Sequence, residues 1–241
     1  MKIIVVENEK EFADMAFNEM AEVVKSNSHA VLGLATGSTP IPLYNAMIDD
    51  HKKNNTSYKD ITTFNLDEYV GLSALHNQSY IYFMRSNLFD KLDINLKNVN
   101  IPNGQAKDIE AECKRYSASL AKTTVDIQVL GIGGNGHIAF NEPGTSFDSL
   151  THVVNLTKKT IADNARFFEK VEDVPKQALT TGIGEIMRAK KILMLATGAN
   201  KADAIYNMAK GKISTDCPAS VLQMHSNVVV IVDKAAASKL N

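Results

Sequence analysis

Cysteine is nearly absent from the sequence, and the two present, Cys113 and Cys217, lie far apart with no C-x-x-C spacing. That leaves no disulfide framework and no redox motif, and it suggests a reducing compartment. Metal-ligand patterns are also lacking. There is no H-x-x-x-H and no Cys/His cluster, so no metal site is expected. Neither sign of charge is in excess: 26 Lys plus Arg face 27 Asp plus Glu, a net charge of −1. Nucleic acid or an anionic membrane would therefore meet no broad electrostatic footprint, and an anionic small ligand would need local cations. No apolar run approaches the ~18 residues of a membrane span. The amino end, Met1 to Glu7, is too short and too soon charged to read as a signal peptide. Nothing linker-like or of low complexity divides the 241 residues. The expectation is a soluble, cytoplasmic protein with a single domain over residues 1–241.

What is present alternates between two periods. Lys2–Val6, Ala30–Ala35, Ile61–Leu66, Val99–Ile101, Val125–Leu130, Thr151–Leu156, Lys191–Ala196 and Asn227–Val232 read as strands. Helices are expected over Glu9–Ser26, from Pro40 to His51, over Ser79–Phe89, Asp108–Ala121 and Lys158–Phe168. Strands alternating with helices argue an α/β fold, a Rossmann-like parallel sheet covered by helices on both faces. One echo joins two of the strand ends: Leu34-Ala35-Thr36-Gly37-Ser38 against Leu195-Ala196-Thr197-Gly198-Ala199.

The chain is organised around Gly131 to Gly144, where a β-branched strand runs into glycine-dense turns and then delivers His137, Asn141 and Glu142. Gly131, Gly133 and Gly136 spell G-x-G-x-x-G, but the dinucleotide fingerprint needs a helix at the turn and an acid about 20 residues on. Pro143 and Gly144 interrupt any such helix, and the next extended run ends in Asn155-Leu156-Thr157 with no acid. A nucleotide cofactor is therefore not expected. His137 with Glu142 offers instead an imidazole and a carboxylate to orient it, as general acid–base work requires.

Thr36-Gly37-Ser38-Thr39 sits between a strand and a helix start, where free N–H groups and hydroxyls form either an anion cradle or an ordinary cap. Lys201 follows the second such turn and opposes the dipole of its own helix, a conflict that an anionic ligand would remove. Asp67 and Glu68 end the third strand. Parity, unless a turn follows Leu66, places Asp67 with Thr63 and Asn65 on a polar, ligand-facing side and Glu68 with Phe64 and Leu66; a helix cap or a surface pair is the other reading of the two acids.

Thr36–Pro40, Phe64-Asn65-Leu66-Asp67-Glu68-Tyr69-Val70-Gly71-Leu72 and Gly136-His137-Ile138-Ala139-Phe140-Asn141-Glu142-Pro143 closely resemble the glucosamine-6-phosphate deaminase family. Further matches lie at Asn164–Phe168, Ala178-Leu179-Thr180 and Lys201, so the resemblance runs along essentially the whole chain. It implies conversion of glucosamine 6-phosphate to fructose 6-phosphate and ammonia, with neither organic cofactor nor metal. It further implies that His137 shuttles the ring-opening proton with Glu142 orienting it, and that Asp67 moves a proton from C2 to C1. The phosphate would sit in Thr36–Thr39, clamped by Arg166 and Lys201, under a small lid at about 158–170. Two departures stand out. Asn135 replaces an acid found in many members; it can accept a hydrogen bond from imidazole but cannot stabilise an imidazolium by charge. The stretch around His152 and Val154 lacks the basic residues with which some members bind an activator, which implies hyperbolic kinetics. A sugar-phosphate sensor on the same fold and the sister 6-phosphogluconolactonases are the alternatives. The sequence leaves the oligomeric state open.

Overall fold

The computed structural model describes residues 1–157, 161, 168, 170 and 173–240. The first helix, α1 (Glu9–Ser26), shows how local chemistry sets the elements. Asn8 caps it, its side chain accepting from the Glu11 amide at 2.9 Å, and the Glu11 carboxylate returns to the Glu7 amide at 2.7 Å. Its buried residues Phe12, Ala16, Met20 and Val24 recur every fourth position, a stripe that joins the core.

Seven strands form one sheet: β1 (Lys2–Val6), β2 (Val31–Leu34), β3 (Thr62–Asn65), β5 (Val99–Asn100), β6 (Ile127–Leu130), β9 (Ile192–Ala196) and β10 (Val228–Asp233). Their order is β1-β10-β9-β6-β2-β3-β5, and every pairing is parallel. All of β6 and β9 is buried, as is β10 up to its last residue. Burial of consecutive residues means that both faces are covered, the arrangement expected of parallel strands. The helices α2 (Ile41–Asn54), α3 (Tyr80–Asn87), α4 (Ile109–Ala121), the single turn α5 (Ile183–Ile186) and α6 (Ala202–Lys210) complete the regular structure.

From β2 the chain steps outward to β3 and β5, then returns to the other side of β2 as β6 and steps the opposite way to β9 and β10. The connections leaving β2 and β6 therefore diverge. A crevice opens between them at the carboxyl edge, the switch point where α/β sheets bind ligands.

A second sheet was not foreseen. β4 (Asp67–Tyr69), β8 (Gln177–Thr180) and β7 (His152–Asn155) form a three-stranded antiparallel sheet in the order β4-β8-β7. The run expected over Thr151–Leu156 thus belongs here and not to the parallel sheet, and Gln177–Thr180 is a strand that periodicity did not flag. Leu66 hands the chain from one sheet to the other. Its N–H donates to Leu34 in the large sheet at 3.3 Å, while its carbonyl accepts from the Thr181 amide at 2.7 Å. Leu66 is thus a bend between the two strands, which a parity carried from Thr63 to Asp67 has to cross. A separate apolar cluster of Tyr69, Phe140, Leu156 and Ala178, flanked by Tyr80 and Phe168, packs around this small sheet. The helix expected over Lys158–Phe168 and the lid at 158–170 lie outside the described residues, apart from Ile161, Phe168 and Lys170.

Candidate active site

Four neighbouring strands, β9-β6-β2-β3, carry at their carboxyl ends the segments of Lys201, His137–Glu142, Thr36–Thr39 and Asp67. The Thr36–Thr39 loop is anchored from below by the buried Tyr44 of α2. Its hydroxyl donates to the Ala35 carbonyl at 2.5 Å and accepts from the Ala35 amide at 3.2 Å. No side chain caps α2 and no acid lies in its first turn, while Gly37 and Ser38 are exposed and Thr36 and Thr39 half-buried. An anion is what such a helix start can accept. The sequence echo is also a conformational one: Gly37 has φ +96° and Gly198 φ +93°. The second loop is pinned by Asp233, whose two oxygens accept from the Gly198 amide at 3.1 and 2.9 Å. Half-buried Lys201 then opens α6 after a 3-10 turn, Ala199–Lys201.

The loop after β6 is folded on itself and then onto its neighbours. The Gly133 amide donates to the His137 carbonyl at 2.8 Å, and the Gly136 amide to the Gly133 carbonyl at 3.0 Å. Gly133 lies directly against the imidazole: a Cβ there would stand 2.2 Å from Cε1 and 2.3 Å from Nδ1 of His137. Gly136, at φ +84°, takes a conformation that disfavours other residues and would place a Cβ 2.4 Å from Cys217 Sγ. These two glycines thus make room for the histidine and its support.

His137 Nδ1 is buried and faces Glu142 Oε1 at 3.4 Å, so the ring's 29% exposure comes from its other atoms. Glu142 Oε2 accepts from the Asn135 amide nitrogen at 2.6 Å, and Asn135 Oδ1 accepts from the His137 backbone N–H at 3.2 Å. Asn135 was expected to meet the imidazole itself. It reaches instead past the ring to hold Glu142 and grips only the histidine's backbone, because the turn points its amide across the loop. Asn141, 0% exposed, donates to the Ile138 and Thr181 carbonyls at 3.0 and 2.9 Å, closing the loop against the end of β8. Ala139 is left at φ +51°, a left-handed conformation that an alanine adopts at a cost.

Asp67 and Glu68 are 7% and 3% exposed, and they are used differently. Glu68 accepts from three backbone amides, those of Tyr69 at 2.8 Å, Tyr80 at 2.9 Å and Ile81 at 3.0 Å. Ser79 takes the next amide, Tyr82, at 3.2 Å, so the open N–H groups at the start of α3 are satisfied. Asp67 accepts no side-chain hydrogen bond among the described residues. Burial, and secondarily the Glu68 charge, push its carboxyl up to about 8. In register Asp67 faces Thr180, whose hydroxyl accepts from the Phe140 amide at 3.1 Å. Through Thr180 and Thr181, β8 therefore ties the Asp67 strand to the histidine loop.

That tie was missed in the sequence. Thr180 meets Phe140 and Thr181 meets Asn141, each across forty residues, and no local spacing signals it. A helix cap was the alternative reading of the Asp67–Glu68 pair, and Glu68 takes that role at α3, whose start at Ser79 was legible; that this distant helix is the one capped was not. Arg166 lies outside the described residues. Among the described residues, no group of three or more His, Cys, Asp or Glu could hold a metal.

Comparison with known proteins places this arrangement. The profile of the family described as glucosamine-6-phosphate isomerases/6-phosphogluconolactonase matches residues 7–231. A glucosamine-6-phosphate deaminase of Clostridium botulinum (strain Kyoto / Type A2) is 50% identical over 242 residues, covering 100% of this chain and 99% of its own. The solved structure of a monomeric glucosamine-6-phosphate deaminase superposes with a TM-score of 0.96 at 47% identity, covering 99% of this chain and 100% of that one. A 6-phosphogluconolactonase from Trypanosoma brucei shares the fold, with a TM-score of 0.79 at 21% identity over 100% of this chain and 98% of its own.

Proposed function

The chain belongs to the glucosamine-6-phosphate isomerase/6-phosphogluconolactonase family, and on that premise we propose that it converts glucosamine 6-phosphate and water to fructose 6-phosphate and ammonia. The observation that carries the reading is the convergence of β9, β6, β2 and β3 at one sheet edge, with a carboxyl pushed up to about 8 beside a histidine loop. A base that gains and loses its proton near neutrality suits abstraction at carbon, where the proton must also be returned.

In this reading the phosphate rests on the Thr36, Gly37, Ser38 and Thr39 turn, held by Lys201 and Arg166. His137, its Nδ1 turned to Glu142, carries the proton from the C1 hydroxyl to the ring oxygen and opens the sugar. Asp67 takes the proton from C2 and delivers it to C1, so the amine-bearing carbon becomes an imine. Water adds to that carbon, the C–N bond breaks, and ammonia leaves with the ketose. Asn135 keeps Glu142 aimed. The reaction would proceed in a single cytoplasmic domain, with no organic cofactor or metal, and with hyperbolic kinetics.

The test is a coupled assay for fructose 6-phosphate, with ammonia release measured in parallel. Turnover is expected with the intact protein and loss of it in Asp67→Asn. Hydrolysis of 6-phosphogluconolactone without ammonia release would point to the sister activity, and binding of the sugar phosphate without turnover to a sensor.

A further inference from the structure

We propose that Glu68 is a positioning residue for the reaction proposed above, on which this inference rests: by closing the start of α3 it fixes the bend that turns Asp67 out of the parallel sheet and keeps a second carboxyl group beside that base. Tyr80 and Ile81 present backbone N–H groups that can only donate, and Glu68 binds both, one to each oxygen, while Oε1 also takes the Tyr69 amide. Three donors around one carboxylate favour the ionised form. The carboxylate so held lies one residue from Asp67, in a place that water hardly reaches, where burial raises its own hold on a proton and the three amides oppose that.

Among the described residues, the titratable groups that act on Asp67 or are acted on by it are Glu68 and Tyr69 on its own strand, Tyr80 on α3 and Tyr116 on α4. Burial pushes all three phenols up, Tyr69 to about 12, so they stay neutral while Asp67 titrates. Thr180, opposite on β8, carries no charge. Among these neighbours Glu68 alone acts as a charge. For Glu68 itself burial raises its affinity for a proton, and the three amide bonds pull it back.

The experiment compares the pH dependence of kcat/KM in wild type, Glu68→Gln and Glu68→Asp, with melting temperatures alongside. Glu68→Gln removes the charge, so the limb on which activity falls with acid should move down by about one pH unit. Glu68→Asp keeps the charge and should move it by less than half as much. Both variants lose the fit at α3, so both should melt lower. A limb that stays at the wild-type position in Glu68→Gln, with melting lowered in both, would leave Glu68 a cap and nothing more, and overturn the proposal. Infrared titration of the protonated carboxyl band, absent in Asp67→Asn, gives the same comparison without turnover. Its midpoint should be lower in Glu68→Gln than in wild type, with Glu68→Asp between them, and a midpoint in Glu68→Gln equal to that of wild type would overturn the proposal. Absence of turnover in wild type would instead count against the deaminase reading, and the infrared comparison would still decide the role of Glu68.

Discussion

The seven-stranded sheet and the three-stranded sheet are built on different terms. The large sheet is held by parallel backbone ladders and a continuous apolar core, with β6 and β9 buried at every position. The small one has a three-residue strand, β4, and depends on side chains that reach across loops: Glu68 to α3, Thr180 to Phe140, Asn141 to Thr181. Among the described residues, seven buried side-chain atoms have no hydrogen-bond partner, and four of them, Thr63 Oγ1, Asn65 Oδ1, His137 Nδ1 and Asn141 Oδ1, lie on β3 or in the loop after β6, with the rest on Asp50, Tyr58 and Glu185. Native interiors keep such atoms few, and four of these lie at the edge where the two sheets meet. Stability thus resides mainly in the large sheet, while its carboxyl edge and the small sheet hold the polar arrangement that catalysis would use.

Asp67→Asn should separate the two most strongly. Turnover should fall by about 10²–10⁴-fold, the usual contribution of a positioned acid or base. Stability should move the other way. The Asp67 carboxyl sits at about 8 in the fold, above the ordinary carboxylate range. Its protonated form therefore supports the fold fully below that range, and the support is lost as pH rises through about 8. Asp67→Asn should thus match wild type near pH 4 and exceed it by roughly a few kcal/mol above pH 8, as read from urea unfolding at both values. A variant destabilised at alkaline pH would break the comparison.

Leu193→Ala, in the centre of β9, should give the reverse pattern. Leu193 is fully buried between β6 and β10, and its truncation should cost about 2–5 kcal/mol, while kcat per folded molecule stays near wild type. Gly133→Ala sits between these extremes. Its Cβ would meet the imidazole at 2.2 Å, so His137 must shift. Displacement by about 1 Å can cost on the order of 10² in rate. Steady-state kinetics should show that loss with only a small change in melting temperature.

The same division decides what the sequence discloses. Strands of the large sheet announce themselves as apolar runs, and Lys2–Val6 and Glu9–Ser26 fall at the expected residues. In the small sheet only β7 was legible, as the run Thr151–Leu156; Gln177–Thr180 begins with an exposed polar residue and derives its strand character from partners far along the chain. The candidate site residues stand out by type, since glycines, a histidine and acids at strand ends are conspicuous. Their mutual contacts were not legible. Leu66 bends the chain between Asn65 and Asp67, and Asn135 turns to Glu142, for reasons that only the tertiary bonds reveal.

Asn135→Asp should produce the smallest effect and the finest test of how the histidine loop is tuned. The asparagine amide donates to Glu142 Oε2 at 2.6 Å, an interaction that an ionised aspartate cannot make. Its other oxygen would still accept from the His137 backbone N–H, so the turn should survive and melting should change little. What changes is charge: two carboxylates would face each other where the Asn135 amide now lies 2.6 Å from Glu142 Oε2, with the imidazole 3.4 Å from Glu142 Oε1. Like charges so close favour uptake of a proton by the group as a whole. The pH–rate profile should therefore shift toward higher pH, with the maximal kcat/KM altered by less than about tenfold, one residue's share of a shared proton network. An unmoved profile would mean that the amide only spaces the loop, and that Glu142 alone governs the histidine.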